Sequence, residues 1–515
     1  MKNEWRYTEE PLKERMKKNT VTSIVFFILT FPLMFIITPM ILKYAGKEMY
    51  GVWALVTAMV VFMELAGGLQ TPSGMSIMVP KYDPKTGQKD INETANTMFF
   101  FYMFSAILMS AAFFLLKNPI MNSFFKVASE NSGDASFVVA FTVYAFMLNF
   151  VLLAFVYLIN AFNVVYITNI VHIIIAYIRT AAMAAALIMG YGIKGVAVAQ
   201  MSSLLLETIV LLFYVKKIYP PLAFGVDYIS IKKFRELMSI SLKLVISKVS
   251  VLTGQNADKL ILGYFLNPIY AAYYQVGASV SKFIWQLPEI MGLYSILPAS
   301  AELKTKDMSD KIHMMFIRVT RYLFFAGILL CAGIIAFGNE FIVLWIGTGY
   351  EEAFLVMAVL AFAYTASLIG YPAMNILNGM ERVKEVMWVS GLSALLNIVL
   401  SIVLTKYFGL KGTLISAAIS LSIGGLALYI LYRVISGKAG GIVLSILKPG
   451  AAAVISLGVI SIMEYLMGNR TGWLLFFAKA GLFSVIYSAV CIKLFKVFDD
   501  NDMELIKGVF KLKKA

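Results

Sequence analysis

Arg179, Lys248 and Lys282 each fall near the middle of a long apolar run. A charge at the centre of a membrane helix costs roughly 2.5–3.5 kcal/mol on insertion scales, so three of them must face water or counter-charges rather than lipid. Their neighbours are patterned to match. Gln275, Ser279, Lys282, Gln286 and Glu289 recur at spacings of 4, 3, 4 and 3, which places five polar groups along one stripe of a helix. Ser241, Lys248, Gln255 and Lys259 share a face of the preceding run. Thr168, His172 and Arg179 do so in an earlier run, and Gln200, Ser203 and Glu207 in the one after it. Side chains of this kind inside a membrane mark a pathway or a binding site. A polar cavity between two helix bundles is the simplest arrangement that satisfies all four stripes. The competing reading is adhesion, with Asp258, Glu207, Glu289 and Glu64 as available partners for the cations. Five polar residues in one stripe exceed what adhesion requires. His172 reads either as a satisfied cavity histidine or as a contact for substrate or proton. Lys479 is either structural or able to snorkel.

These groups need elements that can hold them in lipid, and the composition supplies them. Of 515 residues, 60% are hydrophobic and only 14% charged, where a soluble domain would carry roughly 25% charged residues. The net charge of +15, from 44 basic and 29 acidic residues, reads as basic cytoplasmic loops beside anionic lipids rather than as a nucleic-acid surface. Cys331 and Cys491 both lie inside apolar runs, so neither a disulfide framework nor a cysteine metal site is expected. Two histidines are too few for a histidine-based zinc site, and no cofactor is expected. The first 19 residues are polar and basic and lack a cleavage site, so the first apolar run is expected to serve as an uncleaved insertion signal.

About twenty apolar residues span the hydrocarbon core as a helix. That ruler predicts an all-α, polytopic membrane protein of about fourteen transmembrane helices. Seven spans fall near 20–42, 49–67, 92–116, 136–159, 168–189, 196–215 and 239–266, and seven more near 271–293, 314–337, 353–373, 386–406, 411–432, 447–466 and 473–494. With the N-terminus cytoplasmic, the inner side carries 31 of the 44 Lys and Arg and the outer side 8. That bias orients the chain with both termini cytoplasmic.

The chain also repeats itself. A shift of 220 lays Ile41-Leu42-Lys43-Tyr44 on Ile261-Leu262-Gly263-Tyr264, and matches Tyr50 with Tyr270 and Val56 with Val276. A shift of 217 lays Gly192-Ile193-Lys194-Gly195 on Gly409-Leu410-Lys411-Gly412. An even-numbered six-helix unit repeats with the same orientation, giving two parallel six-helix bundles related by an axis along the membrane normal. The expected organisation is a cytoplasmic segment (1–19), a first bundle (20–217) and a cytoplasmic linker (218–238). A second bundle (239–434), two additional C-terminal helices (435–495) and a basic cytoplasmic tail (496–515) follow.

Three stretches resemble a known family. Tyr44-Ala45-Gly46-Lys47-Glu48-Met49-Tyr50-Gly51-Val52-Trp53 is similar to the first outer loop and second-helix start of prokaryotic polysaccharide transporters. These are the O-antigen-type flippases of the multidrug/oligosaccharidyl-lipid/polysaccharide exporter superfamily. Asn256-Ala257-Asp258-Lys259-Leu260-Ile261-Leu262-Gly263-Tyr264-Phe265 resembles their seventh-helix motif, and Leu344-Trp345-Ile346-Gly347 their ninth-to-tenth-helix loop. The resemblance implies a two-lobed transporter with alternating access, functional as a monomer in the cytoplasmic or inner membrane. Its cargo would be an oligosaccharide on a polyprenyl diphosphate, and polysaccharide-assembly proteins would be possible partners. Arg179, Lys248, Lys282 and Lys259 would then receive the diphosphate, while Gln255, Gln275 and Gln286 bind sugar. Glu64, Glu207, Asp258 and Glu289 are candidate carboxylates for coupling to sodium or protons. Alternatives are a multidrug or organic-cation exporter of the same superfamily and a peptidoglycan-precursor flippase. A membrane-embedded polymerase would place catalytic residues in a long outer loop, which the spans above do not leave room for, so no enzymatic activity is expected.

Overall fold

In lipid a backbone N–H or C=O has no partner but the chain itself, so long apolar runs must become helices. The structure, a computed structural model, describes residues 11–69, 71–437, 442–467, 472–499 and 502, and these form helices with no β-strand among them. The side chains of Lys248 and Gln255 lie outside the described set. The chain divides into two units, residues 1–272 and 273–515.

The first unit holds α1 (Leu12–Gly68), α2 (Thr71–Met78), α3 (Gln88–Pro119), α4 (Ser132–Ala161), α5 (Val165–Ile188), α6 (Gly192–Ile218) and α7 (Ile231–Phe265). Helix α1 contains the first two predicted spans, joined through Gly46, whose φ of 81° and ψ of 168° turn the chain between them. Glu48, two residues on, accepts hydrogen bonds from the Ala128 N–H and the Asn131 side chain, tying down the segment between α3 and α4. Helix α4 packs on α6, α1 on α5, and α5 on α6, while α7 packs on α1 and α2. Two glycines permit these approaches. A Cβ at Gly51 would sit 1.8 Å from the Pro268 carbonyl oxygen, and one at Gly263 would sit 2.6 Å from the Leu55 side chain.

Between α6 and α7 the connection is laid along α3 by two asparagines one helical turn apart. Asn92 donates to the Pro221 carbonyl at 3.1 Å and accepts from the Ala223 N–H at 3.1 Å. Asn96 repeats the pattern on Ala223 and Gly225. Ser230 then caps α7 by accepting from the Lys233 N–H at 3.3 Å. Lys233 bonds Asp90 at 2.6 Å and the Tyr82 hydroxyl at 2.8 Å. The division into units thus falls after α7, which stays with the first six spans.

Helix α8 (Pro268–Trp285) crosses into the second unit, followed by α9 (Leu287–Ile290), α10 (Ile296–Thr305), α11 (Ser309–Ile346), α12 (Glu351–Ser367) and α13 (Gly370–Gly379). Then come α14 (Val383–Ser436), α15 (Ile442–Met467) and α16 (Trp473–Ala489). The range of α14 holds two helices separated by non-helical Gly409, φ 59° and ψ −139°, between the eleventh and twelfth predicted spans. Helices α15 and α16 pack on α11. Lys479 pairs with Glu340 at 3.0 Å, and the Tyr487 hydroxyl donates to the Phe325 carbonyl at 2.9 Å. Lys479 is therefore a fastener of the C-terminal pair.

Among the described residues, ten helices or helix pairs are long and apolar enough to cross a membrane. Two of them, α1 and α14, carry two predicted spans each, and α7 and α8 lie where the seventh and eighth are expected. The internal repeat has a backbone counterpart. Gly192 and Gly409, matched by the shift of 217, both hold positive φ, at 54° and 59°. Their companions Gly195 and Gly412 both press on the preceding helix, where a Cβ would come within 2.7 Å and 2.0 Å of another atom.

Candidate functional site

Four helices of the first unit turn polar side chains toward one another. On the second half of α1, Trp53, Thr57, Val60 and Glu64 follow at spacings of 4, 3 and 4, one face of a helix. His172, Ala176 and Arg179 form the matching face of α5, and Gln200, Leu204 and Glu207 that of α6. Thr142, Phe146 and Asn149 complete the wall from α4. Together they enclose a cavity of about 560 Å³. That volume lies within the range of roughly 300–1,000 Å³ found for small-molecule clefts.

The cavity's charges are one guanidinium, two carboxylates and an imidazole. Glu207 is only 3% exposed and is hydrogen-bonded to Nδ1 of His172. Glu64 accepts from the Asn149 side-chain amide. Arg179 feels the charge of Glu207. The ring of Phe26 lies 6.3 Å from the imidazole and tilts 58° to it, covering one side. Burial of Glu207 keeps water from screening it, so its charge acts more strongly than it would at a surface.

The structure brings Arg179, Glu64, Glu207 and His172 into this one cavity. Asp258 and Lys259 lie on α7, 1% and 8% exposed, and both are engaged with neighbours. Gln275, Lys282, Gln286 and Glu289 belong to the second unit. Glu289 acts electrostatically on Lys282. The stripe they form is carried on two segments rather than one straight helix. The Gln286 N–H still donates to the Lys282 carbonyl at 3.0 Å, but Pro288, in the first turn of α9, has no N–H to continue the ladder, and α8 gives way to α9 at Gln286. Lys248 and Gln255 fall outside the described side chains. No group of three metal-ligating side chains occurs among the described residues.

Asn149 escaped the sequence reading. Its signal is a lone amide inside the apolar run of α4, where a side-chain hydrogen bond to another helix is the expected use. Thr57 and Trp53 carried no such mark, because both are ordinary residues in an apolar helix.

Residues 16–304 match the family described as polysaccharide biosynthesis protein, and the chain belongs to that family. The match takes in the whole cavity. No curated protein sequence matches the chain. Among solved structures, the fold is similar to that of the lipid II flippase MurJ in an inward closed conformation. The TM-score is 0.69 at 15% identity, over 92% of this chain and 99% of that one. It is also similar to an inward-facing multidrug resistance MATE family transporter of the MOP superfamily, with a TM-score of 0.67 at 10% identity, over 79% and 94%. A third is a MOP superfamily transporter from Pyrococcus furiosus whose binding pocket is described as having reverse polarity. There the TM-score is 0.56 at 11% identity, over 85% and 98%. The chain is a multi-pass membrane protein with the fold of these transporters.

Proposed function

We propose that the protein is a flippase that moves a polyprenyl-diphosphate-linked oligosaccharide from the cytoplasmic to the outer leaflet by alternating access. It serves the building of cell-surface polysaccharide, in the cell membrane, with both termini cytoplasmic and the monomer as the working unit. The observation that carries this reading is the family match over residues 16–304, because the matched segment contains the cavity and its buried-face arginine. A guanidinium presents several N–H donors in a plane and suits phosphate oxygens. Arg179, with Lys282, Lys248 and Lys259, supplies charge for the diphosphate, and Gln275, Gln286 and Gln255 supply hydrogen bonds for sugar. Glu64, Glu207, Asp258 and Glu289 are the carboxylates available to a coupling sodium ion or proton.

One observation favours a second reading. The cavity of the first unit holds two carboxylates against one guanidinium, a balance that suits an organic cation, and exporters of the MATE type share the fold. A peptidoglycan-precursor flippase would share the first mechanism and differ in cargo.

Flipping in proteoliposomes separates these. With a polyprenyl-diphosphate-linked sugar, wild type is expected to flip the lipid, while Arg179→Gln, Lys248→Gln and Lys282→Gln lose at least tenfold in rate while remaining folded. Absence of flipping by wild type, together with uptake of an organic cation, would establish the second reading.

A further inference from the structure

Glu207 is hydrogen-bonded to His172 and shares the cavity with Arg179. An ionised carboxylate can only accept hydrogen bonds, so neutral His172 must carry its proton on Nδ1 to make the observed contact. In that state the full negative charge of Glu207 is left to offset Arg179. Once His172 is protonated, imidazolium and carboxylate cancel each other at hydrogen-bond distance, and the guanidinium charge is freed for another anion. The charged and titratable groups facing this cavity are few. They are Glu64 from α1, Arg179 from α5 itself and Glu207 from α6, while α4 presents neutral Thr142 and Asn149, with Tyr157 close enough to Glu64 to feel its charge. Glu64 is held by Asn149. Of the side-chain types in this set, imidazole is the one that ordinarily changes charge near neutral pH.

We propose that His172 is a proton-operated positioning residue for Arg179, so that a phosphate-bearing anion and one proton bind to this cavity together. The proposal rests on the reading of the cavity as an anion site and adds its regulation. The same charges make the opposite statement for an organic cation, which a proton on His172 would expel. The sign of the pH effect on binding therefore also reports the sign of the cargo.

The protein has two histidines, so nitrogen-labelled histidine gives two resolvable imidazoles. His313, in the second unit and 3.2 Å from the Tyr432 hydroxyl, serves as the internal reference for folding. In pH series followed by NMR, Glu207→Gln is expected to weaken the hold of His172 on a proton and Arg179→Gln to strengthen it, so the two variants move its signal in opposite directions. Farnesyl diphosphate, used as probe, is expected to strengthen that hold in wild type and not in Arg179→Gln. Its binding should tighten severalfold from about pH 8 to pH 6, and His172→Gln should abolish that dependence. A His172 signal indifferent to both substitutions, with the His313 signal unchanged, overturns the proposal and leaves the flippase reading standing. A His172 signal that responds to both, with no binding of farnesyl diphosphate at any pH, overturns the anion reading and the proposal with it.

Discussion

Asp502 is fully buried and holds three partners at once: Arg318 at 2.9 Å, Arg321, and the Tyr322 hydroxyl at 2.6 Å. Asp499 joins the same cluster through Arg321 at 3.0 Å and through the Asp502 N–H, at 2.8 Å. Two arginines and a tyrosine from one turn of α11 thus clasp the segment that follows α16. Removing one member of a fully buried ion pair strands the other and costs about 3–5 kcal/mol, a cost reduced here because Arg318 and Arg321 remain partly exposed. Asp502→Asn is therefore expected to lower the melting temperature clearly. Glu302→Gln, which breaks an exposed pair with Lys306, should change stability by less than about 1 kcal/mol. Thermal unfolding in detergent compares them. Acid should loosen the same clasp. Burial pushes the Asp499 carboxyl up, but the Asp502 N–H, Arg321 and Arg318 outweigh it and hold the group below its ordinary 3.8. A carboxylate depressed on folding stabilises the clasp above that ordinary value, and the contribution is lost as pH falls below it. Proteolysis of the C-terminal segment should accordingly rise below about pH 4 and stay constant between pH 5 and 8. None of this was legible in the sequence, where 496–515 reads only as a basic tail, because the partners lie some 180 residues away in α11.

At the scale of elements, bends matter more than lengths. Gly409 sits at φ 59° and ψ −139°, a region open to glycine and strained for other residues. Gly412 lies where a Cβ would be 2.0 Å from the Leu404 carbonyl oxygen. Either residue changed to alanine should destabilise the hairpin within α14, Gly409→Ala by about 1–3 kcal/mol and Gly412→Ala by a backbone shift. Gly391→Ala on the same helix meets nothing within 4 Å and should be neutral or slightly stabilising. A melting series of the three variants checks the order. The sequence placed the spans well, because twenty apolar residues are a length that lipid imposes. The paired spans of α1 and α14 are separated by non-helical Gly46 and Gly409, but hydropathy records apolarity and not the direction in which the chain turns there. Nor could it show the break at Gln286, because the polar stripe of α8 keeps its period across it. The cavity was half legible. The faces of α5 and α6 carry polar groups at a seven-residue spacing that a helix must align, whereas α1 and α4 contribute residues that become polar walls only when packed.

At the scale of the molecule, orientation decides what the cavity can do, since a flippase working on a cytoplasmic precursor must load from the inner leaflet. The distribution of Lys and Arg, 31 on the expected inner side and 8 on the outer, predicts which loops face the cytoplasm. The chain provides a clean background for testing it, because Cys331 and Cys491 are both buried. Glu130 and Lys85 are exposed, in the connections before α4 and before α3, on sides expected to be opposite. An impermeant maleimide is expected to label Glu130→Cys in intact cells and Lys85→Cys only after permeabilisation, with the parent protein unlabelled in both. The inside-negative potential then favours outward passage of net negative charge by about 2.3 kcal/mol per charge per 100 mV. A proton carried with the anion would cancel part of that drive. Flipping by the wild-type protein in oriented proteoliposomes should therefore accelerate with an imposed inside-negative potential, and accelerate less at pH 6 than at pH 8. The reverse labelling pattern would put the basic loops outside and leave the charge distribution without a role in loading.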